Sequence, residues 1–186
     1  QKEEAMSDIR KMCYDRILPR DLRSRPKQQF VLLDGPQGKV RAIMPIGKAW
    51  PNGTPLNIRF LGGSSQERSF VEHAALEWTK HANLELKFND SSVSEIRISF
   101  ADDGAWSYVG LDNLDIPQHT ATMNFGWLDE GTVLHEFGHA VGLAHEHQNP
   151  AGGIQWNRKE VIRSLQGPPN RWTVAEIEHN VLTKYA

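Results

Sequence analysis

The segment HEFGHAVGLAHEH, residues 135–147, places four histidines and two glutamates within thirteen residues. Side chains four residues apart lie on the same face of an α-helix, so His135 and His139 can direct ring nitrogens at one metal ion. Glu136 follows the first histidine and is rotated from it by about 100° around the helix axis. Its carboxylate can therefore contact a water at the metal without binding the ion itself. The spacing predicts a metal-binding helix over residues 131–142.

The residues after this helix predict a third ligand. Gly142 can adopt the left-handed backbone conformation that ends a helix and turns the chain back, so that His145 reaches the same ion. Three neutral imidazoles and one water form the open arrangement of catalytic zinc, in which Glu136 can take a proton from the water and pass it to a leaving amine. The alternatives are a histidine-rich helix end on the surface and a metal that only stabilises the fold. A carboxylate beside an open position argues against the second alternative.

Patterns around the cluster predict an α+β fold. Five segments have the composition or alternation of strands: 40–46, 56–60, 84–88, 95–100 and 121–127. The first two are separated by a turn-rich segment and are expected to form a hairpin or to lie side by side. Residues 102–119 are rich in Gly, Asp and Asn and are predicted to be a solvated loop, because the aspartates lack the spacing of an EF-hand calcium site.

Helices are predicted before and after the cluster. A long amphipathic helix is expected over residues 66–82, with Ser65 or Ser69 as its N-cap. Two further helices are expected downstream, at residues 156–165 and 173–185. The second of these starts with the sequence TVAE, which has the spacing of a capping box.

The segment HEFGHAVGLAH fits the pattern HExxHxxGxxH and resembles the zinc signature of the metzincin metalloproteases. The Glu146–His147 pair that follows is most similar to the astacin-type branch. The resemblance implies a twisted, mostly parallel four- to five-stranded sheet with two long helices and a zinc cleft above a helical C-terminal part. It also implies Zn²⁺ as cofactor and Glu136 as general base. The implied zinc ligands are His135, His139 and His145.

The same resemblance implies a polypeptide substrate, bound in extended form along the strand before the zinc helix, at 121–127. Residues 1–38 are expected to form an N-terminal arm like a propeptide, and residues 39–186 the zinc metalloprotease catalytic domain. Metzincins have a methionine-containing turn downstream of the third histidine. That turn is expected to be missing from this chain, because its methionines all precede His135: Met6, Met12, Met44 and Met123.

Cys13 is the single cysteine, which excludes an internal disulfide framework. A thiolate is a better zinc ligand than water and can occupy the open position, so Cys13 is a candidate metal ligand in a latent form. Matrix metalloproteases, which are also metzincins, use a prosegment cysteine in this way, although residues 11–21 do not reproduce their consensus. The alternative is that Cys13 is a small buried hydrophobic residue.

The remaining polar residues near the cluster have two interpretations. By resemblance, Glu146 binds the freed N-terminus of a mature enzyme, and the alternative is a solvated glutamate. His147 lies two residues beyond His145 and is predicted to support the site without binding the ion. The other histidines are predicted to be ordinary surface or core residues: His73, His81, His119 and His179.

The predicted function is a zinc-dependent endopeptidase, and the alternative is a metal-stabilised, catalytically inactive module that binds a peptide or a partner. The formal net charge of −2 and the pI near 6.5 show no basic bias, so nucleic acid is not an expected partner. No apolar run approaches the roughly 18–20 residues of a membrane span. The resemblance implies secretion, although the first residues lack the pattern of a signal peptide and do not begin with Met, which suggests processing. The sequence makes no prediction of oligomeric state.

Overall fold

A computed structural model of the chain describes residues 13–15, 30–34, 40–45, 47–168 and 170–184. The strands in this part of the chain are β1 (Tyr14–Asp15), β2 (Phe30–Asp34), β3 (Val40–Pro45), β4 (Pro55–Phe60), β5 (Glu85–Phe88), β6 (Ile96–Ser99), β7 (Ala105–Ser107) and β8 (Met123–Phe125). The α-helices are α1 (Ser65–Ala75), α2 (Glu130–Ala140), α3 (Arg158–Gln166) and α4 (Val174–Ile177). Among these described helices, none is long and apolar enough to cross a membrane.

The main sheet is mixed and mostly parallel, in the order β1-β7-β8-β6-β4-β5. The pairs β4–β5, β4–β6 and β6–β8 are parallel, whereas β7 runs antiparallel to β8. Strands β4 to β8 confirm the predicted α+β fold with four to five mostly parallel strands. The short strand β1 pairs in parallel with the outer edge of β7.

The expected hairpin between residues 40–46 and 56–60 is wrong. Strand β3 pairs antiparallel with β2, whereas β4 lies in the main sheet between β5 and β6. Leu56 and Ile58 of β4 are fully buried, which favours a central position among parallel strands. Strand β2 lies within residues 1–38, the predicted N-terminal arm.

The core lies between one face of the main sheet and the helices α1 and α2. Val71 on α1 and Val133 and Phe137 on α2 are fully buried against sheet residues such as Ile96 and Ile98. Trp78, in the 3₁₀ turn that follows α1, also contacts α2, because its indole Nε1 donates to the carbonyl of Leu134 at 2.9 Å. This packing fixes the position of α2, the helix that carries the histidine cluster.

The N-cap of helix α1 is Ser64, one residue before Ser65, the first of the two predicted N-caps. The Ser64 hydroxyl accepts a hydrogen bond from the amide of Glu67 at 3.2 Å, and the Glu67 carboxylate accepts from the amide of Ser64 at 2.7 Å. This capping box satisfies two donors of the first turn. The helix ends at Ala75 and continues as a 3₁₀ turn, Leu76–Lys80, so the predicted helix at 66–82 is split into two types.

Residues 102–119 do not form the predicted solvated loop. They contain β7 and a 3₁₀ turn, Gly110–Asp115, in which Asp112 and Asn113 are buried. The fully buried Arg97 of β6 donates to the carbonyls of Asn113 at 3.1 Å and of Ile116 at 3.0 Å. Burial lowers the pKa of Arg97 to about 10. A long-range contact from another strand therefore orders a segment whose composition is typical of loops.

The C-terminal helices form a small core of their own, made of Leu165, Trp172, Ile177 and Val181. The predicted capping box at the start of α4 is present, with the Thr173 hydroxyl accepting from the Glu176 amide at 3.3 Å. The helix is shorter than the predicted 173–185, because it changes after four residues into a π-helical turn, Glu178–Leu182.

Candidate metal centre

Helix α2 brings the first two histidines of the cluster together. It begins at the N-cap Asp129, whose carboxylate accepts from the Thr132 amide at 2.8 Å. His135 and His139 are one turn apart, and their Nε2 atoms are 2.9 Å from each other. The predicted ligand pair therefore shares one helix face.

The chain turns back at Gly142, as predicted. Gly142 has a φ of 117°, and a Cβ atom there would lie 3.3 Å from the Cα of Ala49. The residue after Ala49 caps α2, because Trp50 Nε1 donates to the carbonyl of Ala140 at 2.8 Å. After the turn, the Nε2 atom of His145 lies close to both helix histidines, at 3.3 Å from His135 and 3.2 Å from His139.

The three ring nitrogens fit one tetrahedral ion. Ligands at about 2.0–2.1 Å from a tetrahedral zinc are separated from each other by roughly 3.3–3.4 Å, close to the two distances that involve His145. His139 Nδ1 lies 2.9 Å from the carbonyl of Leu143. A carbonyl only accepts, so this nitrogen carries the proton and leaves Nε2 with a lone pair for a metal. His135, His139 and His145 can together hold zinc.

The carboxylate of Glu136 and the sulfur of Cys13 lie on the same side of the cluster. Glu136 is fully buried, and Cys13 is half-buried. A carboxylate oxygen of Glu136, the Cys13 sulfur and a ring nitrogen of His135 all lie within 4.8 Å of one another. The structure therefore brings the predicted base and the predicted latent ligand to the exposed histidine of the cluster.

Glu146 and His147 lie outside this group of candidate ligands. The Glu146 side chain is exposed and accepts from Asn149 Nδ2 at 2.8 Å. The first residues of the chain are outside the described part, so the predicted contact with an N-terminus stays a prediction. The His147 ring stacks on His145, with centroids 4.9 Å apart, and its Nε2 lies 2.6 Å from the carbonyl of Asn180. No sequence pattern indicated the role of Asn180, because it acts through its backbone.

The strand expected to bind the substrate is internal, and this expectation is wrong. Strand β8, within residues 121–127, is flanked by β6 on one side and β7 on the other, so both of its edges are paired. The neighbour of β8 on the β1 side of the sheet is β7, which lies in the segment predicted to be a loop. Its outer edge is paired with β1, with Tyr14 opposite Trp106 and Asp15 opposite Ser107.

Comparison with known protein families identifies the chain. The family model "Astacin (Peptidase family M12A)" matches residues 43–167, which is more than half of the chain and includes the three histidines. The chain belongs to the astacin family. The predicted resemblance to astacin-type metzincins is confirmed, and zinc is the cofactor of this family.

Solved structures and curated relatives agree with this astacin assignment. A structure of myroilysin matches with a TM-score of 0.70 and 37% identity, covering 76% of this chain and 73% of that chain. The zinc metalloproteinase dpy-31 of Brugia malayi is 30% identical over 124 residues, which are 66% of this chain and 20% of that protein. The astacin-like metalloprotease toxin 1 of Loxosceles intermedia is 29% identical over 115 residues, 61% of this chain and 42% of that protein. This astacin-family chain thus spans only a fifth of the Brugia relative.

Proposed function

We propose that this chain is a zinc-dependent endopeptidase that hydrolyses peptide bonds in a polypeptide substrate. The observation that carries the proposal is the convergence of the Nε2 atoms of His135, His139 and His145, all within 3.3 Å of each other. A metal that only stabilised the fold would need no carboxylate at an open position, whereas Glu136 lies directly beside the exposed histidine.

In the proposed mechanism, the three histidines would hold Zn²⁺, which when bound would supply a Lewis acid to acidify water and polarise the scissile carbonyl. Glu136 is the general base, because it follows His135 on α2 and its carboxylate lies within 4.8 Å of a ring nitrogen of that histidine. Glu136 accepts a proton from the attacking water and then donates it to the leaving amine. The Leu143 carbonyl holds His139 in the tautomer that this arrangement needs.

The substrate is proposed to lie extended along the outer edge of β7. An added strand would form main-chain hydrogen bonds at this edge, as β1 does in the structure. The edge leads to the metal centre, because Cys13 directly precedes β1 and its sulfur lies near His135 and Glu136.

We infer a latent form from the same contacts. Residues 1–38 would act as a propeptide-like segment, with β1 covering the edge of β7 and the Cys13 thiolate as the fourth zinc ligand. This inference is supported by the proximity of the Cys13 sulfur to His135 and by the pairing of Tyr14 with Trp106. The segment would have to leave before a substrate could bind.

A secreted, extracellular location is also proposed. Two of the relatives are named as toxins, in Loxosceles intermedia and Loxosceles gaucho, and a toxin acts outside the cell that makes it. Expression of the gene with its natural upstream sequence should place the protein in the culture medium. Recovery only from washed cells would contradict this location.

The direct test of the mechanism is the substitution Glu136→Gln, studied after removal of residues 1–38. The amide keeps the shape of the side chain but cannot accept the proton, so casein cleavage should fall by about 10²–10⁴-fold while zinc remains bound. Glu72→Gln, on an exposed side chain of α1, is the matched control and should keep full activity. If the trimmed chain binds zinc but never cleaves casein, the binding module is the correct function; full activity of Glu136→Gln would exclude Glu136 as base.

A further inference from the structure

The segment directly after the third candidate ligand is bound to the C-terminal unit, which we define as residues 158–184. The side-chain amide of the buried Gln148 donates to the carbonyl of His179 and, at 2.9 Å, to the carbonyl of Thr183. His147 Nε2 lies 2.6 Å from the carbonyl of Asn180. Two adjacent side chains thus bind three carbonyls that are more than thirty residues away.

These carbonyls can accept hydrogen bonds from another segment because they lie in or directly after a π-helical turn, Glu178–Leu182, that ends the last described helix. The amide of Thr183 donates to the carbonyl of Glu178 at 2.7 Å and closes that turn. The last carbonyls of a helix have no amide donor further along the same helix. Those of His179 and Asn180 instead accept hydrogen bonds from the segment that follows the metal centre.

The hydrogen bond to the Asn180 carbonyl determines which nitrogen of the His147 ring carries a proton. A carbonyl only accepts, so His147 Nε2 is the donor and has no lone pair for a metal. The ring contacts two others: it stacks on His145, with centroids 4.9 Å apart and an interplanar angle of 24°, and it lies nearly perpendicular to the Trp156 ring, with centroids 6.0 Å apart and an angle of 87°. One hydrogen bond and two ring contacts therefore limit the rotation of the His147 ring.

We propose that His147 is a positioning residue that orients the third zinc ligand, His145, and makes the C-terminal unit part of the metal centre. The proposal rests on the proposed function, in which His145 binds zinc. The hydrogen bond to Asn180 holds the His147 ring, and the stacked ring in turn holds the plane of His145. Groups that hold a zinc ligand in place by a hydrogen bond typically change metal affinity by about 10–100-fold when they are lost, and we expect a stacked ring that is itself held by a hydrogen bond to act in the same range.

The test compares three substitutions at one position in the full chain. His147→Ala removes both the ring and the donor, His147→Phe keeps a stacking ring without the donor, and His147→Gln keeps a donor without the ring. Zinc affinity is measured by competition with a chelator, and ligand geometry by the visible absorption of the cobalt-substituted protein. The control His119→Ala changes an exposed histidine in another part of the chain.

His147→Ala is expected to weaken zinc binding by about 10–100-fold and to alter the cobalt spectrum, with smaller effects in His147→Phe and His147→Gln and none in His119→Ala. A merely structural role would lower the thermal midpoint of the metal-free protein but leave the cobalt spectrum of the folded variants unchanged, and that result would overturn the proposal. Failure of the proposed function gives a different result. If His145 were not a zinc ligand, the unmodified chain and His145→Ala would bind zinc with equal affinity.

Discussion

At the scale of single residues, two backbone carbonyls fix the protonated nitrogen of two histidines in the cluster. The Leu143 carbonyl accepts a hydrogen bond from Nδ1 of His139, which leaves Nε2 with a lone pair for an ion, whereas the Asn180 carbonyl accepts one from Nε2 of His147. The residue spacing was sufficient to predict that His135, His139 and His145 converge, because an i, i+4 pair and a glycine turn are local features. It could not identify the partner of His147, because a backbone acceptor distant in sequence leaves no residue-type signal.

Arg97 is expected to contribute strongly to stability, because its fully buried guanidinium donates to several backbone carbonyls. Arg97→Met would leave the carbonyls of Asn113, Ile116 and other acceptors without their buried donor, and we expect a loss of roughly 3 kcal/mol or more in the free energy of unfolding. Urea denaturation measures this loss. Arg163→Met removes an exposed arginine paired with Glu160 and should change stability by less than about 1 kcal/mol. An equal loss of unfolding free energy in Arg97→Met and Arg163→Met would show that the buried hydrogen bonds of Arg97 do not stabilise the fold.

At the scale of elements, prediction succeeded where local pattern decides the structure. Strand β4 was predicted from its composition, β5 and β6 from alternation, and α2 from the spacing of its histidines. Strand β7 was missed because Arg97 and the pairing with β8 order a segment whose composition is typical of a loop. The partner of β3 was also missed, because strand pairing depends on contacts between segments and not on the composition of either one.

The N-cap of α1 gives a prediction that distinguishes two adjacent serines. Ser64→Ala removes the acceptor for the Glu67 amide and should lower the free energy of unfolding by about 1 kcal/mol. Ser65→Ala, one residue later and inside the helix, is the control and should have little effect. Thermal denaturation of both variants measures the difference. A larger loss of stability in Ser65→Ala than in Ser64→Ala would instead indicate Ser65, one of the two predicted positions, as the N-cap.

The same cap has a defined pH dependence. The pKa of Glu67 is lowered, first by the hydrogen bond from the Ser64 amide and second by that from its hydroxyl. A lowered pKa in the folded state means that this contribution to stability is complete above the unfolded-state pKa and is lost as pH falls through the lower folded value. In an NMR titration, Ser64→Ala should move the Glu67 pKa upward, toward its ordinary value. An unchanged pKa would show that the hydroxyl contributes nothing.

At the scale of the whole molecule, three parts of the chain meet at one site. Helix α2 carries His135, Glu136 and His139, the turn after α2 leads to His145, and Cys13 directly precedes β1, which covers the edge of β7. In the full chain, Cys13→Ser should weaken the latent contact and raise casein cleavage, because a hydroxyl is a poorer zinc ligand than a thiolate. Tyr14→Ser, which leaves the thiol in place, is the control. Cleavage that is equally low in both variants would contradict a latch at Cys13.

X-ray absorption at the zinc edge is the most direct test of whether His135, His139 and His145 bind one zinc ion. The zinc-loaded chain should contain one ion with three nitrogen ligands at about 2.0–2.1 Å, and His145→Ala should lose one of these nitrogens and most of its affinity. A zinc ion whose nitrogen shell is the same in the unmodified chain and in His145→Ala would contradict the account.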